Sequence, residues 1–461
     1  MFNFFHKKNL KTEEIFANAP EGIALFNMAL PTVVGQLIVL IYSLADTFFI
    51  GKTNNPYMVA GVSLLLPVFN LFLPLANLTG LGGGTLISRF IALKQDEEAK
   101  KMSVLSIYVC LLISFTYSAI FLIFMDKILI LLGANSDIIE YSKKYAFFVI
   151  VLGAIPTALS NTIANLLRCC GYSKEAGFGI TMGGVLNIFL DPLFMFVIFS
   201  KGNEVVGAGL ATLLSNVITL IYFLLMIYKV RNEASISYDI RLGLPKRSNI
   251  INLFTLGVPA SFNSFCFDID YIVLDKLMSQ YGAYALAGVG IVLKAERLPL
   301  NIGIGICQAM LPLIAYNSAR KNYKRMNNFI KLSIISGLCV CAVSMFSYQM
   351  FTKNIVCFFI NEINTMNNAI SFLRVRCIAT TFMFLSFFYC YNFQALNEGK
   401  YSFILATIRW LILDIPLLFI LNNIFGSIGL VLAQLVGDFI ASTIFLLVFV
   451  HYRKVHKMAL K

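Results

Sequence analysis

Two carboxylates sit where the surrounding chain is almost wholly apolar: Asp46 in VLIYSLADTFFIGK and Asp191 in GGVLNIFLDPLFMFV. An ionisable side chain at the centre of a bilayer costs roughly 2.5 to 3.5 kcal/mol on insertion scales, so a retained one is tied to function. Asn187 precedes Asp191 by four residues, which stacks an amide and a carboxylate on one helical face. With the hydroxyl of Thr212 in GAGLATLLSN, the set offers two carboxylates, one amide oxygen and one hydroxyl. Hard monovalent cations favour such oxygens. Equally, two carboxylates in one dry site cannot both ionise, and the one that keeps its proton becomes a proton carrier. The set therefore suits a sodium ion, a proton, or each in turn.

Further along, Asp268, Asp270 and Asp275 fall on a predicted helix 7, and Lys294, Glu296 and Arg297 on a predicted helix 8. These acids and bases are expected to neutralise one another beside a central cavity, with Gln36, Asp268, Lys294, Glu296 and Asn392 as candidates to line it. A magnesium-dependent diphosphate chemistry would need paired aspartate clusters on one face. Asp268 and Asp270 instead point about 200° apart on a helix, and no second acidic run follows. The three histidines, His6, His451 and His456, lie at the chain ends, so no histidine-based catalytic or metal site forms in the apolar segments. A GxxxxGK[ST] phosphate loop is absent, which removes ATP as the intrinsic drive. The chain reads as a protein that is not an enzyme and carries no cofactor or metal beyond a coupling ion. The ten cysteines are read as free, inert thiols.

The elements that hold these residues follow from composition. At 461 residues, 59% hydrophobic and 13% charged, the chain is too apolar for a soluble globule. A spanning helix takes about 20 apolar residues. Twelve stretches qualify, near 21–50, 57–88, 103–125, 145–167, 177–199, 207–228, 251–275, 284–316, 332–351, 372–395, 402–421 and 427–450. The net charge of +13 is spread over short loops and does not collect on one face, which argues against nucleic acid. Lys7, Lys8, Lys11, Arg89, Lys94, Lys100, Lys101, Arg168, Lys174 and the run from Lys229 to Arg247 alternate with sparser outer lysines such as Lys52, Lys127 and Lys201. The pattern continues through Arg320 to Lys331, then Arg453, Lys454, Lys457 and Lys461. The positive-inside bias places both termini in the cytoplasm. Residues 1–20 are polar and read as a cytoplasmic segment with no cleavable signal.

The charged connector at 229–250 divides the chain into a first lobe, 21–228, and a second, 251–450, with a cytoplasmic tail at 451–461. Internal matches keep their order across that division: Pro31 with Pro259, YMVAGV with YALAGV, Gly80 and Gly82 with Gly303 and Gly305, LDP with LDIP. An even number of spans per lobe gives both the same orientation, so the pseudo-two-fold axis lies along the membrane normal. Pro31 and Pro259, at matched places, are the candidate hinges. By the same matching, Asp46 corresponds to Leu274, Thr212 to Leu432 and Asn187 to a residue near Trp410 or Leu411. Asp191 alone keeps an acidic counterpart, Asp414, so ion coupling is expected in the first lobe alone.

The first helix ALPTVVGQLIVLIYSLADTFFIG, the NIFLDP of helix 5 and GIVLKAERLPLNIGIGICQAMLPLIAYN of helix 8 resemble the multidrug and toxic compound extrusion family, in its MepA-like bacterial branch. The resemblance covers essentially the whole chain. It implies an all-α integral membrane protein of twelve helices in two pseudo-two-fold bundles forming a V, acting as a monomer in a bacterial inner membrane. It implies antiport of cationic, amphipathic aromatic drugs against Na+ or H+, with Asp46, Asn187, Asp191 and Thr212 matching the family's coupling set. A lipid-linked precursor flippase of the same superfamily is the alternative, though such proteins carry a strongly basic cavity where this chain carries buried acids.

Overall fold

The computed structural model describes residues 12–199, 202–360 and 362–456. Expectations placed on His6, Lys7, Lys8, Lys11, Lys201, Lys457 and Lys461 lie outside the described residues. No strand occurs among the described residues. In hydrocarbon a chain must satisfy its backbone within each segment, and here it does so entirely through helices.

Eleven helices are long and apolar enough to span a membrane, and a bent pair makes a twelfth. They are α1 (Glu21–Gly51), α2 (Pro56–Ala92), α3 (Asp96–Leu131), α4 (Ile139–Leu152 with Ala154–Cys169), α5 (Ser173–Ile198) and α6 (Glu204–Val230). The second half follows as α7 (Arg247–Tyr281), α8 (Ala283–Ala319), α9 (Tyr323–Met350), α10 (Ile363–Ala395), α11 (Gly399–Phe425) and α12 (Ser427–Val455).

The sequence expects α3 over 103–125, yet it runs from Asp96 to Leu131. Asp96, Glu97 and Glu98 in its first turn favour the positive end of the helix dipole, and Phe124 marks a kink at φ −107° and ψ 17°. The α4 span is broken by 43° at Gly153, just after a π-helical turn at Phe147–Leu152. Similar turns occur at Leu193–Ile198 and Ile408–Asp414. Two of these wide turns adjoin prolines, Pro192 and Pro416. By contrast, α1 runs unbroken through Pro31 and α7 through Pro259.

Between residues 231 and 246 the connector is pinned along the start of α3. Ser103 donates to the Ser237 carbonyl at 2.8 Å and accepts from the Ser237 amide at 2.9 Å. Ser235 reaches Asp96 at 2.6 Å, and Ile236 is fully buried.

The halves meet crosswise, α1 against α8 and α2 against α7, the pairing that a two-fold relation requires. Glycines allow the contact. A Cβ on Gly82 would fall on the Leu253 carbonyl and on Gly257, and one on Gly257 would fall on the Leu78 carbonyl, so backbone meets backbone at this level. Polar side chains also cross the seam. Gln36 donates to Gln308 at 3.0 Å, Asn77 to Ser264 at 2.8 Å, and Asn70 to Asp268 at 3.5 Å. Gln36 and Ser264 are partners under the offset that matches Pro31 with Pro259.

A strap ahead of α1 ties the halves together on the face that carries both helix ends Glu21 and Val455. Thr12 donates to the Cys170 carbonyl of the first half at 2.5 Å. Residues 15–19 then cross to the second half. Arg325 donates to the carbonyls of Phe16 at 3.0 Å, Ile15 at 3.3 Å and Ala19 at 2.5 Å. Asn317 adds a bond to Phe16 at 3.1 Å, and the Phe16 ring, wholly buried, packs edge-on to Tyr316 at 5.4 Å.

Candidate functional site

In the first half α5 is clamped between two helices by glycines on two of its faces. On one face a Cβ at Gly177 would strike the Pro31 carbonyl, and one at Gly184 would strike Ile38 and Tyr42, so α5 lies tight against α1. On another, Gly183 abuts Thr219 and Gly179 abuts Phe223 of α6. Small residues at helical spacing let backbones approach this closely. The clamp carries Asn187 and Asp191 to a point between Asp46 on α1 and Thr212 on α6.

All four expected coupling residues are brought together there. The Asn187 amide nitrogen donates to Asp191 Oδ1 at 3.2 Å and to Thr212 Oγ1 at 3.3 Å. That commitment leaves Asn187 Oδ1 facing inward with no donor. Asp191 Oδ2 and Asp46 Oδ1 likewise have none, although all three atoms are buried. Asp191 is wholly buried, Asn187 and Thr212 nearly so, and Asp46 half-buried. The Tyr145 hydroxyl of α4 reaches Asp46 Oδ2 at 3.5 Å. Buried acceptors are almost always paired in folded proteins. The three unpaired oxygens lie on α1 and α5, and an oxygen-only donor set is of the kind that suits a hard ion. Among the described residues no cluster of three His, Cys, Asp or Glu has metal-binding geometry.

Tyr145 was not foreseen, and nothing in its sequence setting separates it from the many tyrosines of an apolar chain. The ten cysteines are free, eight of them buried.

The second half is arranged differently from expectation. Helix 7 acids and helix 8 bases do not neutralise each other as a set. Glu296 turns away from the cleft between the halves and bonds Arg376 of α10 at 2.7 and 2.8 Å, both side chains being wholly buried. Arg409 of α11 lies 2.7 Å from Asp438 of α12 and 3.9 Å from Asp414, and stacks on Trp410 at 3.9 Å. Asp270 is buried with Oδ1 unpartnered and, among the described residues, no cation within salt-bridge distance. Four buried carboxylates, at 270, 296, 414 and 438, thus face two buried guanidiniums, at 376 and 409. Asn392, expected in the cavity, is wholly buried inside the second half, where it donates to the Phe388 carbonyl at 2.8 Å. Gln36 lies in the seam, bonded to Gln308. Lys294 is exposed on α8, and Asp268 is half-buried beside Asn70 of the first half.

The sequence matches the MatE family over residues 31–193 and again over 259–420, one match in each half. Multidrug export protein MepA of Staphylococcus aureus is 30% identical over 431 residues, covering 93% of this chain and 94% of the relative. A solved multidrug resistance MATE family transporter of the MOP superfamily, in its outward-facing conformation, superposes with a TM-score of 0.90 at 22% identity, covering 98% of this chain and all of that one. A MOP superfamily transporter from Pyrococcus furiosus, described as having a binding pocket of reverse polarity that suggests a different function, gives a TM-score of 0.87 at 22% identity, covering 96% of this chain and 97% of that one.

Proposed function

The chain belongs to the MatE family, and from that premise we propose that it exports cationic, amphipathic aromatic compounds by antiport against Na+ or H+. The observation that carries the proposal is the trio of donorless buried oxygens on Asp46, Asn187 and Asp191. An incoming ion or proton satisfies those oxygens and draws α1, α5 and α6 together. Its release leaves two carboxylates facing each other in a dry pocket, a state that favours rearrangement. The coupling site belongs to the first lobe, while the second lobe holds buried carboxylates that its two buried guanidiniums only partly pair. The lobes rock about the crosswise seam.

The face bearing the strap is the cytoplasmic one, since the Lys- and Arg-rich loops lie there, in a bacterial inner membrane. Strap and glycine seam close that side, which supports reading this state as one open to the outside. Export of drugs is supported by the MepA relationship, and preference for cations by the half-buried Asp268 at the junction of the halves.

The test is ethidium efflux from energised vesicles under separate Na+ and H+ gradients, for wild type, Asp46→Asn and Asp191→Asn. Efflux driven by one gradient and lost in both variants is the expected result. Gradient-driven efflux unchanged in both variants sinks the coupling-site assignment. Movement of a lipid-linked sugar, with none of ethidium, replaces the pump by a flippase.

A further inference from the structure

Arg297 stands apart from the other guanidiniums inside the second half. Arg376 has Glu296 and Arg409 has Asp438. Among the described residues, no carboxylate lies within 4.0 Å of Arg297, which is half-buried on α8. Its guanidinium instead lies over two rings of α7, 5.7 Å from the centre of Phe267 and 5.3 Å from that of Tyr271. Both are within the roughly 6 Å over which a ring face attracts a cation. Between these rings in sequence is Asp268, whose one side-chain hydrogen bond among the described residues reaches across to Asn70 of the first half at a long 3.5 Å. The two charges also share one depth. Asp268 lies 13 residues before the end of α7 and Arg297 14 residues after the start of α8, about 20 Å in from the same face at 1.5 Å per residue.

Two ring faces and one poorly bonded carboxylate at the junction of the halves make a receptor for a flat organic cation, and the residue lying over it is itself a flat cation. We infer that Arg297 is a tethered stand-in that fills a cation subsite formed by Phe267, Tyr271 and Asp268, and that an aromatic cation must displace it to bind. The inference rests on the proposed export of cationic aromatics and adds how they are selected. A hydrated inorganic ion pairs with a carboxylate but gains little from ring faces, so it does not evict a stacked guanidinium. An aromatic cation recovers both terms and does. The displaced side chain would swing along α8 toward water at the level of the exposed Lys294, one turn away. The arrangement keeps Asp268 from standing bare in an apolar cleft and keeps Na+ and K+ out of the drug subsite.

The experiment is equilibrium binding of ethidium to the purified full-length protein by fluorescence anisotropy, at low and high KCl. Arg297→Gln should tighten binding on the order of tenfold, the scale of removing one like charge from a partly solvated site. KCl should weaken ethidium binding in this variant far more than in wild type. Arg297→Lys, which keeps the charge and so spares the fold but stacks poorly, should tighten it by a smaller factor. Asp268→Asn should weaken binding, and the double variant Asp268→Asn, Arg297→Gln should show no tightening relative to Asp268→Asn alone. Unchanged or weaker binding in both Arg297 variants overturns the stand-in role while leaving the export reading intact. A wild-type protein that binds no organic cation overturns both.

Discussion

Replacing Arg325 by Ala should open the closed face of the transporter. Its guanidinium donates to three carbonyls of the strap, those of Ile15, Phe16 and Ala19. Hydrogen bonds from a charged donor contribute roughly 1.5 to 3 kcal/mol each where water is excluded. The strap lies at the membrane surface, where water can replace part of that bonding, and Phe16 keeps its bond from Asn317. A net loss of about 2 to 3 kcal/mol for the three bonds together follows. Because the strap spans from Cys170 in one half to Arg325 in the other, this energy exists only when the halves are closed on that side. The ratio of closed to open molecules should therefore fall roughly 30- to 140-fold.

The assay is a pulsed electron–electron distance measurement between spin labels at Glu97→Cys and Lys324→Cys, one on each half of that face. The background carries Ser at Cys339 and Cys357, the two native cysteines that are not buried. A second, longer distance should appear in Arg325→Ala and be nearly absent from the parent. Asn328→Ala, which removes a single bond to Glu21, should shift the distribution far less. Identical distributions in Arg325→Ala and its parent would refute the latch.

Glu296→Gln leaves Arg376 buried without its carboxylate, and it should destabilise the protein by about 3 to 5 kcal/mol, as broken buried pairs do; Glu296→Gln with Arg376→Met should recover most of the loss in a detergent thermal-melting assay. Gly257→Val sets a branched side chain against the Leu78 carbonyl and should cost about 3 kcal/mol of seam closure, read as a collapse of ethidium efflux together with the longer label distance. Gly290→Ala, with open space beside it, should change neither.

The grouping of Asp46, Asn187, Asp191 and Thr212 was legible because desolvation makes it so: a carboxylate in an apolar run has no cheap explanation, and an i, i+4 amide must share its face. The second half was harder to read because residues two apart on a helix point about 200° away from each other. Within KAER, Lys294 faces outward and Glu296 inward, and within RVR, Arg374 is exposed while Arg376 is buried. Composition does not say which of such a pair enters the core. The phase is set by helices that lie far away in sequence, so Arg376, the partner of Glu296, was missed. The π-helical turns leave no mark because they insert a residue into a helix without changing its character. Tyr145 looks like any tyrosine near an interface. Spans and the order of the internal matches were readable because they depend on hydropathy and small residues, which repeat locally.

The strap also bears on how the protein is made. Phe16 is separated from Arg325 by 309 positions, so the segment ahead of α1 has its docking site completed only when α9 is under way. Until then Ile15 and Phe16 are an apolar tab at the membrane surface without a seat, and the first six helices must hold together on their own packing. A ribosome that stops anywhere before α9 therefore releases a product marked by an undocked tab. Docking of this segment therefore marks a chain that has been built at least as far as the start of α9.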